Sequence, residues 1–295
     1  MAPVKRTRRR RSDDSSTKRR ATLAAEIENE ALLGEEDEPE IGSKGYISTG
    51  STLLNLALTD HPEHGYPLGN MVNLIGDSSA GKTVLALTAG AELSVTPAFD
   101  DYRIIFDDVE EAAAFDYDYL FGSELARRIE SPAVDSEGEP VNSSTVEDFQ
   151  DHVLAALDDG RPFIYFVDSL DALTSEAEEA KAQADAEARA KGVECKGTYG
   201  MEKAKALKRI LRLTSRRLKQ TASTVVIISQ TIDEVDPMKS RFSKKTRAGG
   251  NALRFFAVQE IWLKLKKKLK AKDRIIGAET EARVCLLYTS PSPRD

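Results

Sequence analysis

The octapeptide GDSSAGKT, Gly76 to Thr83, constrains the fold more than any other stretch of this 295-residue chain. It fits G-x-x-x-x-G-K-[ST], a spacing with a mechanical meaning. The apolar run MVNLI (71–75) before it reads as a buried parallel strand, and VLALTAGAEL (84–93) after it reads as a helix. Gly76 and Gly81 let the loop turn tightly. The backbone N–H groups through Asp77, Ser78, Ser79 and Ala80 can then point at phosphate oxygens. The helix N-terminus adds a field that favours anions. Lys82 is expected to reach β- and γ-phosphates, and the Thr83 hydroxyl to ligate Mg²⁺.

A bound Mg²⁺ needs a second anchor. In RPFIYFVDSLDAL (161–173), Phe163–Val167 reads as an apolar strand with Asp168 at its C-terminal end. Ligands of open α/β sheets bind there, so Asp168 is the expected metal carboxylate. Asp171 lies beyond the strand end and is the weaker choice. A third strand, YRIIF (102–106), runs into DDVEE (107–111). Hydrolysis needs a carboxylate to orient or deprotonate water, and Asp107, Asp108, Glu110 and Glu111 all qualify on spacing. At least two of them should be solvated loop charges.

Charge is arranged in blocks. Lys plus Arg total 42 and Asp plus Glu 49, a formal net charge of −7. Residues 1–20 nevertheless hold nine Lys/Arg against two Asp, and are expected to be a disordered arm able to meet nucleic-acid phosphates. An acidic stretch follows from Glu26 to Glu40. ATLAAEIENEALL (21–33) has helical spacing, so 21–44 reads as a helix with an acidic linker. Two cysteines make neither a disulfide framework nor a zinc site, and His61, His64 and His152 read as surface residues. No apolar run is long enough to span a membrane and no apolar leader is present, so a cytoplasmic protein without a membrane partner is expected. CLLYTSPSPRD (285–295) matches the translation of a transposase sequencing adapter. It is expected to be non-native, with the natural sequence cut near Val284.

Further cations fall on one predicted helix. In MEKAKALKRILRLTSRRLKQ (201–220), Leu207, Ile210, Leu211, Thr214 and Leu218 form one stripe. Lys205, Lys208, Arg209, Arg212 and Arg216 form another that contains no acid, which points to a nucleic-acid backbone. The segment 231–248 has no clear periodicity and reads as a long functional loop. It ends in Lys239, Arg241, Lys244, Lys245 and Arg247, while Met238 and Phe242 could wedge or stack against bases. KLKKKLKAKDR (264–274) follows the strand QEIWL (259–263), and its alternation predicts an exposed hairpin.

ISTGSTLLNLAL (47–58), GDSSAGKT, VDSLDALT (167–174), LKQTASTVVIISQ (218–230) and GGNALRFFA (249–257) occur in the order seen in RecA. Over about 45–284 the chain resembles RecA-type DNA recombinases, of a bacteriophage branch. The resemblance implies ATP with Mg²⁺ and a helical homo-oligomer on single-stranded DNA that pairs it with a homologous duplex. It implies Glu110 as the catalytic carboxylate, Tyr117 on the adenine, and Gln230 sensing the γ-phosphate directly before the second DNA loop. It also implies that Gly249 and Gly250 approach DNA phosphate and that Phe255 lies at a protomer interface. Lys205, Lys208 and Arg212 fall on polar or basic positions near the first DNA loop. The Ala-, Glu- and Lys-rich insertion 175–198 resembles that loop in position only.

The expected architecture is an α/β RecA-like P-loop core, 45–284, with a mostly parallel central sheet and a truncated C-terminus. The expected activity is a DNA-dependent ATPase acting in recombination and repair. A hexameric helicase or loader on the same fold is one alternative. A non-catalytic nucleotide-binding accessory protein is another, against which the acidic elements argue.

Overall fold

The computed structural model describes residues 45–111, 115–191, 201–233, 245–247 and 252–287. Strands β1 (Tyr46–Ile47) and β2 (Tyr66–Pro67) pair antiparallel around helix α1 (Thr52–Thr59), which Ser51 caps by accepting the Leu54 N–H. Strand β3 (Met71–Gly76) is buried at every position and leads into helix α2 (Lys82–Val95). Strand β4 (Arg103–Asp108), helices α3 (Tyr117–Phe121) and α4 (Ser123–Arg128) and strand β5 (Ile129–Glu130) follow. Strands β6 (Ala133–Val134) and β7 (Pro140–Val141) make a small hairpin before helix α5 (Val146–Asp158). Thr145 and Asp148 start α5 with reciprocal side-chain caps. Strand β8 (Phe163–Asp168), helices α6 (Glu176–Ala190) and α7 (Met201–Thr221) and strand β9 (Thr224–Asp233) come next. Strand β10 (Lys245–Arg247), helix α8 (Ala252–Phe256) and the long strands β11 (Ala257–Ala271) and β12 (Arg274–Leu287) complete the described chain.

Eight strands form one sheet in the order β12-β11-β3-β9-β8-β4-β5, with β10 paired to β9. From β11 to β5 every neighbouring pair is parallel, while β12 and β10 run antiparallel to their partners. Period-2 alternation sends Val72, Leu74, Ile104, Phe106, Val226 and Ile228 to the face covered by α2. Ile105, Tyr165, Val167, Val225 and Ile227 go to the other face, against α5 and α7. The predicted stripe of α7 is fully buried there, with Leu207, Ile210, Leu211, Thr214 and Leu218 all inside. Each of its apolar members contributes about 1.5–3 kcal/mol relative to exposure. The cations Lys205, Lys208, Arg209, Arg212 and Arg216 are exposed on the opposite side.

Register brings the functional strand ends together. Gly76 of β3 sits beside Gln230 of β9, and Asp168 of β8 beside Asp108 of β4. Gly76, Asp108 and Asp168 are C-terminal strand ends, where ligands of open parallel sheets bind, and Gln230 is level with them inside β9.

Several segments differ from their sequence reading. The 231–248 segment is not a loop throughout. Thr231, Ile232 and Asp233 extend β9 and pair with Arg247, Thr246 and Lys245, because an antiparallel partner continues the ladder past Gln230. The insertion after residue 174 contains α6, started by the Ser175 side chain accepting the Glu178 N–H and by acids in the first turn. Strand β4 extends past the apolar run YRIIF to include Asp107 and Asp108. The basic run 264–274 is an exposed hairpin, but continuous with QEIWL in one 15-residue strand. Strand β12 runs through Cys285 to Leu287, three residues into the segment set apart by its adapter-like sequence. His152 is half-buried, its Nδ1 2.9 Å from Ser143 Oγ, so it is not a plain surface residue. The basic arm (1–20), the 21–44 segment, Met238, Lys239, Arg241, Phe242, Lys244, Gly249 and Gly250 lie outside the described residues.

Candidate nucleotide and DNA site

The loop between β3 and α2 owes its path to two glycines. A Cβ on Gly76 would stand 2.6 Å from the Leu263 carbonyl oxygen of β11, so no larger residue fits without moving the sheet. Gly81 adopts φ 88° at the start of α2, a left-handed conformation that glycine takes without strain. Lys82 is 8% exposed, and its Nζ donates to the carbonyls of Gly76 and Asp77, each at 3.0 Å. Burial pushes the Lys82 ammonium below its ordinary pKa, while Asp168, Glu110, Asp77 and Asp171 oppose that shift. A buried cation whose hydrogen bonds go to neutral carbonyls, at a helix N-terminus, can accept an anion in their place.

Beside it, the Thr83 hydroxyl donates to Asp168 Oδ2. Burial raises the Asp168 pKa, and nearby Glu110 and Asp108 raise it further, against Thr83 and Lys82. A hydroxyl and a strained carboxylate in contact match the oxygen donors that Mg²⁺ takes when phosphates and water fill its other positions. Among the described residues no cluster of three or more His, Cys, Asp or Glu could hold a metal alone.

The four acidic candidates after the YRIIF strand separate. Asp107 is fully buried on the face away from α2, where it accepts from Ser143 N at 2.8 Å, Ser143 Oγ at 2.6 Å and Tyr165 OH at 2.6 Å. It is a structural acceptor in the core and not a water-orienting group. Asp108 ends β4 beside Asp168 and contributes to raising the Tyr117 pKa, whose main cause is burial. Glu111 is exposed at φ 48° in the turn that follows. Glu110 reaches the loop side of the site: its Oε1 accepts from Ser169 Oγ at 2.6 Å and from Gln230 Nε2 at 3.0 Å.

Gln230 and Thr231 are held by three carboxylates from three different loops. Besides the Glu110 contact, the Gln230 N–H donates to Asp171 Oδ2 at 2.6 Å, and the Thr231 hydroxyl donates to Asp77 Oδ1. Asp77 thus joins the phosphate loop to the first residue of the 231–248 segment. Neither Asp77 nor Asp171 was singled out in sequence for these contacts. Their partners lie 154 and 59 residues away, and only strand register reveals them.

The profile of the RecA N-terminal domain matches residues 28–292. The chain belongs to the RecA family. It is 27% identical to Protein RecA of Caulobacter vibrioides over 287 residues, covering 96% of this chain and 72% of that protein. It is 26% identical to Protein RecA of Bacteroides thetaiotaomicron over 247 residues, 83% and 65% of the two chains, and 27% identical to that of Corynebacterium aurimucosum over 259 residues, 88% and 60%.

The remaining RecA-like positions sort by environment. Tyr117 is half-buried at the start of α3 and packs edge-on against Phe115, centroids 6.2 Å apart. Lys205, Lys208 and Arg212 project from one side of α7. Lys245 and Arg247 lie on β10, paired to the end of β9. Phe255 is 74% exposed on α8, a large apolar ring in water at the position the resemblance assigns to a protomer contact. No helix among the described residues is long and apolar enough to cross a membrane.

Proposed function

We propose that this RecA-family chain is a DNA-dependent ATPase that assembles on single-stranded DNA and pairs it with duplex DNA. The observation that carries the proposal is the Gln230–Glu110 contact, 3.0 Å. It joins the carboxylate best placed to activate water to the strand that opens the 231–248 segment.

The chain's own residues divide the work. Lys82 exchanges two neutral carbonyl acceptors for phosphate oxygens, a stronger charge-assisted contact. The amides from Asp77 to Ala80, with those of Gly81, Lys82 and Thr83, close around the phosphates. Thr83 and Asp168 would hold a divalent cation, which would supply neutralisation of the charge developing on the phosphates. Glu110, oriented by the Ser169 hydroxyl, takes the proton of the attacking water. Tyr117, backed by Phe115, offers a ring face to adenine.

Gln230 carries a side-chain amide that can leave Glu110 for a γ-phosphate oxygen. Its movement displaces β9 and so the ribbon with β10, which carries Lys245 and Arg247. That ordering of a segment by a terminal phosphate is a known switching mode. The ribbon and the α7 cations Lys205, Lys208 and Arg212 then face the DNA backbone, with Lys239, Arg241, Lys244 and the Gly249–Gly250 amides completing the grip. Phe255 on α8 docks on a second copy.

Electron microscopy of the protein with single-stranded DNA and a slowly hydrolysed ATP analogue tests the reading. Helical filaments that require both ligands are expected. Closed rings would favour a helicase or loader, and no assembly would favour an accessory role.

A further inference from the structure

Beyond the pocket, the turn after β8 connects β9 to α7. The Leu170 N–H donates to the Ile228 carbonyl at 3.1 Å, so Ile228 faces β8. In a parallel strand the peptide groups alternate sides, and Gln230, two residues on, presents its N–H to the same side. Strand β8 has already turned away at that level, and its ladder with β9 ends at Val167 and Ile227. The Asp171 carboxylate takes the place of the missing strand as acceptor.

The other side of the same turn is gripped from α7. Lys203 Nζ donates to the Asp171 carbonyl at 3.0 Å and to the Leu173 carbonyl. Lys203 is half-buried, and burial pushes its ammonium down while Asp171 and Glu178 hold it up. Asp171 is half-buried too; its carboxyl is raised by burial and held down by the Gln230 N–H and Lys203. Two groups so placed are each other's electrostatic support. Lys203 stands one residue before Ala204 and two before Lys205, at the head of the exposed cation row.

We infer that Asp171 and Lys203 are a positioning pair through which the end of β9 is coupled to the cationic face of α7. A shift of Gln230 pulls on Asp171, the 169–174 turn moves with it, and Lys203 carries the shift into the first turns of α7. The nucleotide would then set two DNA-facing elements, the β9–β10 ribbon and α7, through two separate connections. The inference rests on the reading of Gln230 as the residue that senses the terminal phosphate. It adds residues that neither contact phosphate nor DNA.

The test is hydrogen–deuterium exchange of the full chain, with and without a saturating, slowly hydrolysed ATP analogue and Mg²⁺. The variants are Asp171→Ala, Asp171→Asn and Lys203→Met, and analogue affinity is measured alongside by calorimetry. In the parent chain the analogue should slow exchange of amides across 203–212 about tenfold, an ordinary coupling between sites. Asp171→Ala and Lys203→Met should lose that slowing while analogue affinity holds. Asp171→Asn, whose amide oxygen can still accept the Gln230 N–H, should keep most of it. Should Asp171→Ala fail to fold, Lys203→Met carries the same expectation, since it leaves the Gln230 contact in place. Slowing in both Asp171→Ala and Lys203→Met equal to the parent overturns the pair, as does an α7 that ignores the analogue in the parent. Parallel loss of analogue affinity also overturns it, by making the role one of nucleotide binding. A labelled oligonucleotide, added separately, reports on the DNA reading. If the analogue leaves oligonucleotide affinity unchanged in the parent while α7 responds, the DNA reading fails and the pair stands.

Discussion

Gln230 donates its side-chain amide to Glu110 across 3.0 Å, although 120 residues separate them. The contact exists because β9 lies between β3 and β8, so that Gln230 pairs with Gly76, where the phosphate loop begins. The Glu110 N–H donates to the Asp168 carbonyl at 3.3 Å and fixes the turn from the other side. One amide and one carboxylate thereby connect the turn after β4 to β9.

Glu110→Gln should bind ATP normally and hydrolyse it roughly 10²–10⁴-fold more slowly, the usual worth of a positioned general base. Glu111→Gln, altering an exposed residue of the following turn, should leave the rate near that of the parent. A phosphate-release assay beside nucleotide titration separates the two, and a slow Glu111→Gln with a fast Glu110→Gln would reverse the assignment.

Lys82→Ala removes the one buried ammonium of the loop. Hydrogen bonds to charged groups contribute about 1.5–3 kcal/mol each, so triphosphate affinity should fall roughly 10- to 150-fold. Titration with a fluorescent ATP analogue measures it.

Burial of the Asp168 carboxylate has a cost in stability. The Asp168 pKa is raised in the folded state, so its contribution to stability is highest below its unfolded pKa and falls as pH rises through the raised value. At neutral pH that penalty is fully present. Asp168→Asn should therefore raise the melting temperature of the nucleotide-free protein at pH 7 and lose the advantage at pH near 4. Without that substitution, affinity for the magnesium nucleotide should decline on acidification at a pH above the ordinary Asp range. Melting curves of both proteins across this pH window decide it; a lower melting temperature for Asp168→Asn at pH 7 would contradict the electrostatic account.

Much of this site is legible in the sequence, for a physical reason. The phosphate loop, the Phe163–Asp168 strand and the two stripes of α7 are local patterns, and local periodicity determines which side chains are buried. Spacing alone leaves Asp107 among four candidates because its apolar neighbours end at Phe106, yet the same alternation that buries Ile105 also buries Asp107 on that face. The contacts of Asp77, Asp171 and Lys203 were invisible for a different reason. They depend on which strands lie side by side and in what register, and no window of neighbouring residues contains that information. The extra turns of β9 and β10 likewise appear only once the two ends of the 231–248 segment meet.

Phosphate contacts should be additive in salt. For single strands each neutralised phosphate steepens the dependence of log affinity on log salt by about 0.7, so Lys208→Ala and Arg212→Ala should each flatten the slope by about that amount. Exposed Arg254 on α8 serves as a control that should leave the slope unchanged.

The most direct measurement is the affinity of the full chain for a fluorescent single-stranded oligonucleotide, by anisotropy, with and without a slowly hydrolysed ATP analogue and Mg²⁺. The account predicts binding at least about tenfold tighter with the analogue, a gain abolished by Gln230→Ala with analogue binding intact. Equal affinity in both conditions, or a gain that survives Gln230→Ala, would contradict it.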